Sequence, residues 1–321
     1  MNIEDISEVN NWAYINIVGT VVSTPRYFPR EHTNTGTLYF DVDDGTGTIT
    51  VRAYDTATRE LIEKQKIPAF GDKVDLKGVV NVRKDQITIV LNSADQLKII
   101  REPATAISIS ELYQARTDEN YFIDGTRVKI KGTIDYWVKY KFALSLWLSD
   151  DYGNQANIFI PQSIIELTGP GILYTITEDM EISATGALKW YAAGRYSRWE
   201  IIPATTADIY RIYPELIVTN LTYPEEPIEP GVEIYIYANI LNNGDSTAIE
   251  VPVIFYADTM VLGVMEVDEL RAGDSIELTV NWTVPSGLTY IELTVVVDPD
   301  NIIMESNEAN NELRTIITIR S

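Results

Sequence analysis

The sequence predicts an all-β fold built from two five-stranded barrels in tandem followed by a seven-stranded sandwich. Three observations predict it. The stretch FDVDDGTGTITVRAY, Phe40 to Tyr54, alternates apolar and polar residues on both sides of Asp44-Gly45-Thr46-Gly47, the pattern of a β-hairpin. Its surroundings recur in the same order. Ile17-Val18-Gly19-Thr20-Val21 corresponds to Ile130-Lys131-Gly132-Thr133-Ile134, Val42-Asp43-Asp44-Gly45 to Leu148-Ser149-Asp150-Asp151, and Val74 to Val79 corresponds to Ile182 to Ala187. The offsets of 113, 106 and 108 residues describe one β-module written twice with loops of different length. Beyond residue 213, short alternating segments are spaced by turn signals with no helix pattern between them, which predicts an antiparallel sandwich.

In the first module the strands are expected at Tyr14-Val22, Leu38-Val42, Thr48-Tyr54, Lys73-Val82 and Gln86-Leu91. A short helix lies within Asp55 to Lys66, and Pro25, Pro29 and Asn34-Gly36 mark a long first connection. The second module repeats this with strands at Arg127-Asp135, Ala143-Ser149, Ala156-Ile160, Met180-Leu188 and Ser197-Pro203. Its small helix is Gln162-Thr168, ended by Gly169-Pro170-Gly171, and helical character precedes it at Ser108-Ala115. The sandwich strands are expected at Glu215-Tyr223, Val232-Asn242, Glu250-Ala257, Met260-Val267, Ser275-Thr283, Thr289-Val297 and Leu313-Ile319. The domains are therefore set at 1–104, 105–212 and 213–321.

Composition narrows the chemistry. With 321 residues and 45% hydrophobic content the chain can form several packed cores. It has no cysteine, so disulfides, thiolate zinc and cysteine nucleophiles are excluded, and its one histidine, His32, leaves little for histidine-dependent sites. No run approaches the roughly 20 apolar residues that span a bilayer, and the first residues are acidic where a signal peptide would be basic. The net charge of −22 falls unevenly: −3 over 1–104, −4 over 105–210 and −15 over 211–321. The modules are mildly acidic and the last third carries the acidity. There is no G-x-S-x-G, no H-E-x-x-H and no phosphate loop, and a non-enzymatic protein is expected.

Five strands with a helix between the third and fourth is the order of an OB-type barrel. Residues 13–100 resemble the nucleic-acid-binding OB-fold family of tRNA-anticodon-binding and replication proteins. The V-x-G-x-V opening, F-x-V-D-D-G-T-G hairpin and G-D-x-V-x-L-K-G-x-V strand carry the resemblance, and the second module shares mainly the order. The resemblance implies single-stranded DNA or RNA as partner. The expected contacts are Lys139, Tyr140 and Lys141 in the connection Tyr136–Phe142, and Trp190, Tyr191, Arg195, Tyr196 and Arg198 in the connection Lys189–Trp199. Arg26, Arg30, Arg52 and Tyr54 supply the first module's contribution. Rings stack on bases while Lys and Arg meet phosphates, and the acidic sandwich repels the strand toward the barrels. Two plainer readings stand beside this: Trp137, Trp147 and Trp199 as core or joint aromatics, and the cations as ordinary surface residues.

The last third is similar to the CARDB family, the cell-adhesion-related sandwich of bacteria and archaea. The match rests on Asn242-Asn243-Gly244 with Ala248, Gly263, Leu270-x-x-Gly273-x-Ser275, Trp282 and the run Val297 to Asn311, VDPDNIIMESNEANN. This implies an immunoglobulin-like module of prokaryotic surface and secreted proteins, and an extracellular or cell-surface place. Asp298, Asp300, Glu305 and Glu308 are oxygen donors of the kind Ca²⁺ takes, although without EF-hand spacing, and a turn held by Asx hydrogen bonds explains them equally. Asp43, Asp44, Asp150 and Asp151 read the same way as turn formers. The sequons at Asn220 and Asn281 agree with an extracellular reading. The rival function is a structural or adhesive surface protein, or a subunit of a filament or lattice. In it the barrels are spacers and the loop aromatics contact another copy or another surface protein.

Overall fold

The computed structural model describes residues 1–30, 36–84, 86–225 and 227–320. It divides into two compact units, Met1–Arg211 and Ile212–Ser321. The expected position of His32, and of Asn34 in the first connection, lies outside the described residues.

The first unit opens with β1 (Tyr14–Val21), β2 (Arg26–Pro29), β3 (Gly36–Asp43), β4 (Thr48–Ala53), α1 (Asp55–Glu63), β5 (Lys73–Arg83), β6 (Gln86–Leu91) and β7 (Leu97–Ile100). Strand pairing runs β1-β3-β4-β6-β5, and β5 returns antiparallel to β1 from Tyr14↔Val79 to Thr20↔Lys73, so the sheet closes on itself. Closure crowds the seam. A side chain at Gly19 would meet the Asp43 carbonyl at 2.5 Å, which is why glycine interrupts this apolar strand. Phe40, Val42, Val51, Leu76 and Ile89 point inward, and Leu61 of α1 joins them in the core.

The β3–β4 turn is held by Asp44. Its carboxylate accepts the backbone N–H of Thr46 (2.9 Å), Gly47 (3.2 Å) and Ile3 (2.7 Å) and the Thr46 hydroxyl (2.6 Å). Partial burial works against ionisation, but these donors outweigh it and hold the carboxyl at about 2. The turn-forming reading of Asp44 therefore accounts for the DDGTG motif. The long first connection is a correction: β2 lies within it, paired antiparallel with β3 from Arg26↔Tyr39 to Pro29↔Gly36. Pro25 and Pro29 bracket this edge strand, where a missing N–H is tolerated.

The second half of the unit comprises β8 (Thr105–Ala106), α2 (Ile109–Gln114), β9 (Arg127–Lys139), β10 (Ala143–Ser149), β11 (Gln155–Pro161), α3 (Gln162–Thr168), β12 (Glu181–Ala193), β13 (Tyr196–Ile202) and β14 (Ile209–Arg211). The order β9-β10-β11-β13-β12, with β12 returning to β9, repeats the closure. Ser108 caps α2 by accepting from Glu111 N–H at 3.0 Å. Two expected connections prove to be strand. β9 continues through Tyr136–Lys139 and β12 through Lys189–Ala193, because their partners β10 and β13 extend as far.

The two closed sheets are joined through buried contacts. Within the first half, Asp72, 1% exposed, accepts from Arg101 Nε (2.8 Å) and Nη2 (2.7 Å) and from Ala69 N–H (2.8 Å), which fixes the segment that meets the second sheet. Beside it Gly71, at φ +85°, lies so close to Gly125 that a side chain would meet its carbonyl oxygen at 2.5 Å. From α3, Leu167 packs in the first sheet's core and the Ser163 hydroxyl donates to the Pro25 carbonyl at 2.5 Å.

The second unit holds β15 (Leu216–Thr222), β16 (Glu233–Asn242), β17 (Ala248–Ala257), β18 (Met260–Leu270), β19 (Ser275–Thr283), β20 (Tyr290–Val297) and β21 (Glu312–Thr318). Among the described residues they form sheets β15-β16-β19 and β18-β17-β20-β21, the expected seven-stranded sandwich. Ile236, Ile240, Phe255, Trp282, Val295 and Ile317 fill the space between the sheets. Asn242 is fully buried: its amide donates to the Ser246 and Leu270 carbonyls, both at 2.8 Å, and its oxygen accepts from Glu215 and Gly244 N–H.

Replacing Asp72 with Ala leaves the Arg101 guanidinium without its carboxylate at the joint. A loss of about 3 kcal/mol in the stability of the first unit is expected, read as a lower unfolding transition by calorimetry with the second unit's transition unmoved.

Candidate functional site

Strand alternation in the second closed sheet sorts its side chains by face. Leu144, Leu146 and Leu148 of β10 and Ile158 and Ile160 of β11 enter the core, while Ser145, Trp147, Asn157 and Phe159 face outward. Pairing registers one outward row across all five strands: Tyr136, Trp147, Asn157, Glu200 and Lys189. Tyr136 stacks on Trp147 with ring centroids 5.7 Å apart and planes 17° from parallel. The Arg198 guanidinium lies 5.2 Å from the Trp147 ring and 4.5 Å from the Tyr191 ring, and its Nη2 donates to Glu200 at 2.5 Å. Tyr140 and Phe142 stack at 5.5 Å in the β9–β10 turn.

Beside these groups lies a cavity of about 330 Å³ lined by Tyr140, Phe142, Ser145, Phe159, Lys189, Trp190, Tyr191, Arg198, Glu200 and Ile202, with Thr24 reaching it from the first half of the unit. Two of its polar lining groups are buried, with Ser145 2% and Glu200 5% exposed; Asn157, 1% exposed and bonded to Ser145, lines the neighbouring cavity with Trp147. Burial pushes the Glu200 carboxyl above the usual glutamate range, against the pull of Arg198 and Lys189. Lys189 also places its ammonium 5.2 Å from the Phe70 ring.

The expected site residues divide between this face and other places. Tyr140, Trp190, Tyr191 and Arg198 meet at the cavity. Lys139 and Lys141 are exposed beside it, and Arg195 and Tyr196 are exposed at the tip of the β12–β13 hairpin, which Gly194 turns at φ +62°. Trp190 lies on a strand rather than in a loop, yet it lines the cavity as well: it is half-buried, its ring lies 5.2 Å from the buried Trp199, and its backbone N–H donates to Asp124. Trp199 bears out the core reading, and Trp147 does not, because alternation puts it outside. In the first half, Arg26 on β2 pairs with Asp41 (3.0 Å) and Arg30 with Asp55 (2.8 Å). Arg52 donates to the Tyr54 hydroxyl at 2.6 Å and covers the Tyr39 ring at 4.8 Å. Sequence reasoning missed Ser145, Asn157 and Glu200, whose signal is a polar residue alternating with leucine or isoleucine in a strand of known register.

In the second unit the motif ESNEANN builds a tight acidic turn. Asp298 accepts from Ile302 N–H (3.0 Å) and Ile303 N–H (2.8 Å), and Glu308 accepts from Glu305 N–H (2.9 Å). Glu305 accepts from Leu216 N–H and from the Asn311 amide (2.5 Å). Glu215 accepts from the Ser306 hydroxyl and the Asn310 amide (2.6 Å). Carboxylate oxygens of Asp298, Glu305 and Glu308 lie within 4.8 Å of one another. Asp300 is exposed and stands outside that group. These are the turn bonds that Asx and Glu side chains make, and they account for the motif's order.

The family model CARDB matches residues 213–315. Those residues form a CARDB domain. Comparison with curated proteins returned no match. Among solved structures, the CARDB domain of a Pyrococcus furiosus protein in complex with di-metal ions is 21% identical, covering 33% of this chain and 94% of its own, with a TM-score of 0.31. A domain of a putative cell surface protein from Methanosarcina acetivorans is 28% identical, covering 34% and 94%, with a TM-score of 0.30. A murine DNA binding protein bound with double-stranded DNA is 11% identical, covering 61% and 97%, with a TM-score of 0.24. Among the described residues, no helix is long and apolar enough to cross a membrane.

Within the CARDB domain, burial pushes the Glu305 carboxyl up to about 7 from 4.5, with Glu308 and Asp298 adding to it and the Leu216 and Asn311 donors opposing it. The folded domain therefore holds a proton that the unfolded chain gives up. Between pH 4.5 and 7 its stability falls as pH rises, by about 3 kcal/mol in all. The expected observation is a CARDB unfolding transition that drops through this window in the native chain and much less in Glu305→Gln.

Proposed function

We propose that this is a cell-surface-associated binding protein, without catalysis, whose first unit takes single-stranded nucleic acid on two OB-type barrels. The CARDB domain supports the surface association. The observation that carries the binding reading is the outward row of the second closed sheet, in which Arg198 lies against both Trp147 and Tyr191 beside an open cavity. Stacked rings next to cations on the exposed face of strands is the arrangement that single strands use. Lys139, Lys141 and Arg195 have no ion pair among the described residues and would meet phosphates.

A second reading, contact with another copy or another surface protein, is favoured by the first half of the unit. There Arg26 and Arg30 are neutralised by Asp41 and Asp55, which leaves little charge for a polyanion.

Fluorescence anisotropy of a labelled single-stranded oligonucleotide, titrated with the full chain at low and at physiological salt, separates the two. Binding that weakens with salt is expected, with Tyr140→Ala and Tyr191→Ala each costing about tenfold in affinity. Replacing Lys139 and Lys141 together with Ala lowers the salt slope by about one. No binding at low salt sinks the nucleic-acid reading and leaves protein contact.

A further inference from the structure

The floor of the cavity is built for more than attraction to phosphate. Outward positions of a sheet normally keep polar groups in water, yet Ser145 and Glu200, which line this cavity, are both more than nine-tenths buried. Leaving hydrogen-bonding capacity unused in such a place is unfavourable. Some capacity is nonetheless unused. The Ser145 hydroxyl accepts from the Asn157 amide at 2.7 Å and keeps its own proton to donate. Glu200 receives Arg198 on one carboxylate oxygen, and the other has no hydrogen-bond partner among the described residues. Lys189 stands directly across the strand pair from Glu200.

A carboxylate repels phosphate, so a groove that only tracked a backbone would gain nothing from Glu200. An acceptor set beside aromatic walls suits the edge of a planar ring that carries N–H donors. Among nucleobases, cytosine presents an amino group at the corner of its pairing edge with ring acceptors next to it, which matches a carboxylate flanked by an ammonium and a hydroxyl. Thymine and uracil put a carbonyl oxygen at that corner, where it would face the Glu200 oxygen.

Resting on the single-strand reading, we infer that the cavity between Tyr140, Phe142, Phe159 and Glu200 selects a nucleobase with an exocyclic amino group, which donates to Glu200. Lys189 and Ser145 supply the donors to the ring acceptors, and the Tyr140–Phe142 pair supplies the stacking wall.

The test compares labelled oligo-dC and oligo-dT of about 16 nucleotides on the full chain, in mildly alkaline buffer where cytosine is unprotonated. These strands differ at the pairing edge and little in stacking area. The native chain is expected to bind oligo-dC about tenfold more tightly. Glu200→Gln brings the ratio close to one, because an amide can turn either its oxygen or its N–H₂ to the base. Tyr140→Ala weakens both strands by similar factors and keeps the ratio. Equal or tighter binding of oligo-dT by the native chain overturns the inference while the strand-binding reading stands, as does a ratio that Glu200→Gln leaves unchanged. Failure of both strands to bind removes the reading and the inference together. Should Glu200→Gln fail to fold, the native ratio decides alone.

Discussion

Sheet closure is the constraint on which the first unit depends. When β5 returns to β1 and β12 returns to β9, no open edge is left along the seam, and each strand acquires a sealed inner face and a solvent face. A core of leucine, isoleucine and valine fills each closed sheet. The same alternation then obliges the intervening residues to face out. Trp147 and Asn157 share one cross-strand row because Leu146, Leu148 and Ile158 must share the core.

The cavity adds a second requirement, that the two closed sheets hold together. Thr24 reaches a pocket whose other walls come from β9 to β13, which requires the joint made by Ser163 with the Pro25 carbonyl, Leu167 in the neighbouring core and the close approach of Gly71 and Gly125. Asp72 beside that joint is fully bonded, whereas Glu200 at the cavity receives a protein donor on one oxygen only, and that contrast underlies the proposal that the cavity takes another molecule.

Carboxylates illustrate how the same side-chain chemistry is set by its surroundings. Asp44 takes four donors near the surface and is held at about 2, whereas Glu305 is more deeply buried with acidic neighbours and rises to about 7. Both close turns, Asp44 as an anion over a wide pH range and Glu305 at the cost of ionisation near neutrality. The acidic CARDB domain concentrates such groups, which Asn310, Asn311 and Ser306 bond in turn.

By itself the sequence determined the all-β class, the positions of most strands, the seven-strand sandwich and the CARDB motif. These depend on alternation, turn residues and ordered polar runs, which are local along the chain. It also named Tyr140, Tyr191 and Arg198. Only the tertiary structure decided where β9 and β12 end, since strand length follows the partner rather than local propensity. Those ends put Trp190 on a strand, packed against Trp199 while still lining the cavity. Tertiary structure alone also showed that Arg26 and Arg30 are held in ion pairs, and that Ser145, Asn157 and Glu200 are buried neighbours across the sheet. Those three residues are 12 and 43 positions apart along the chain. Only the register across β10, β11 and β13 makes them neighbours, because pairing between strands is a non-local choice that no single segment encodes.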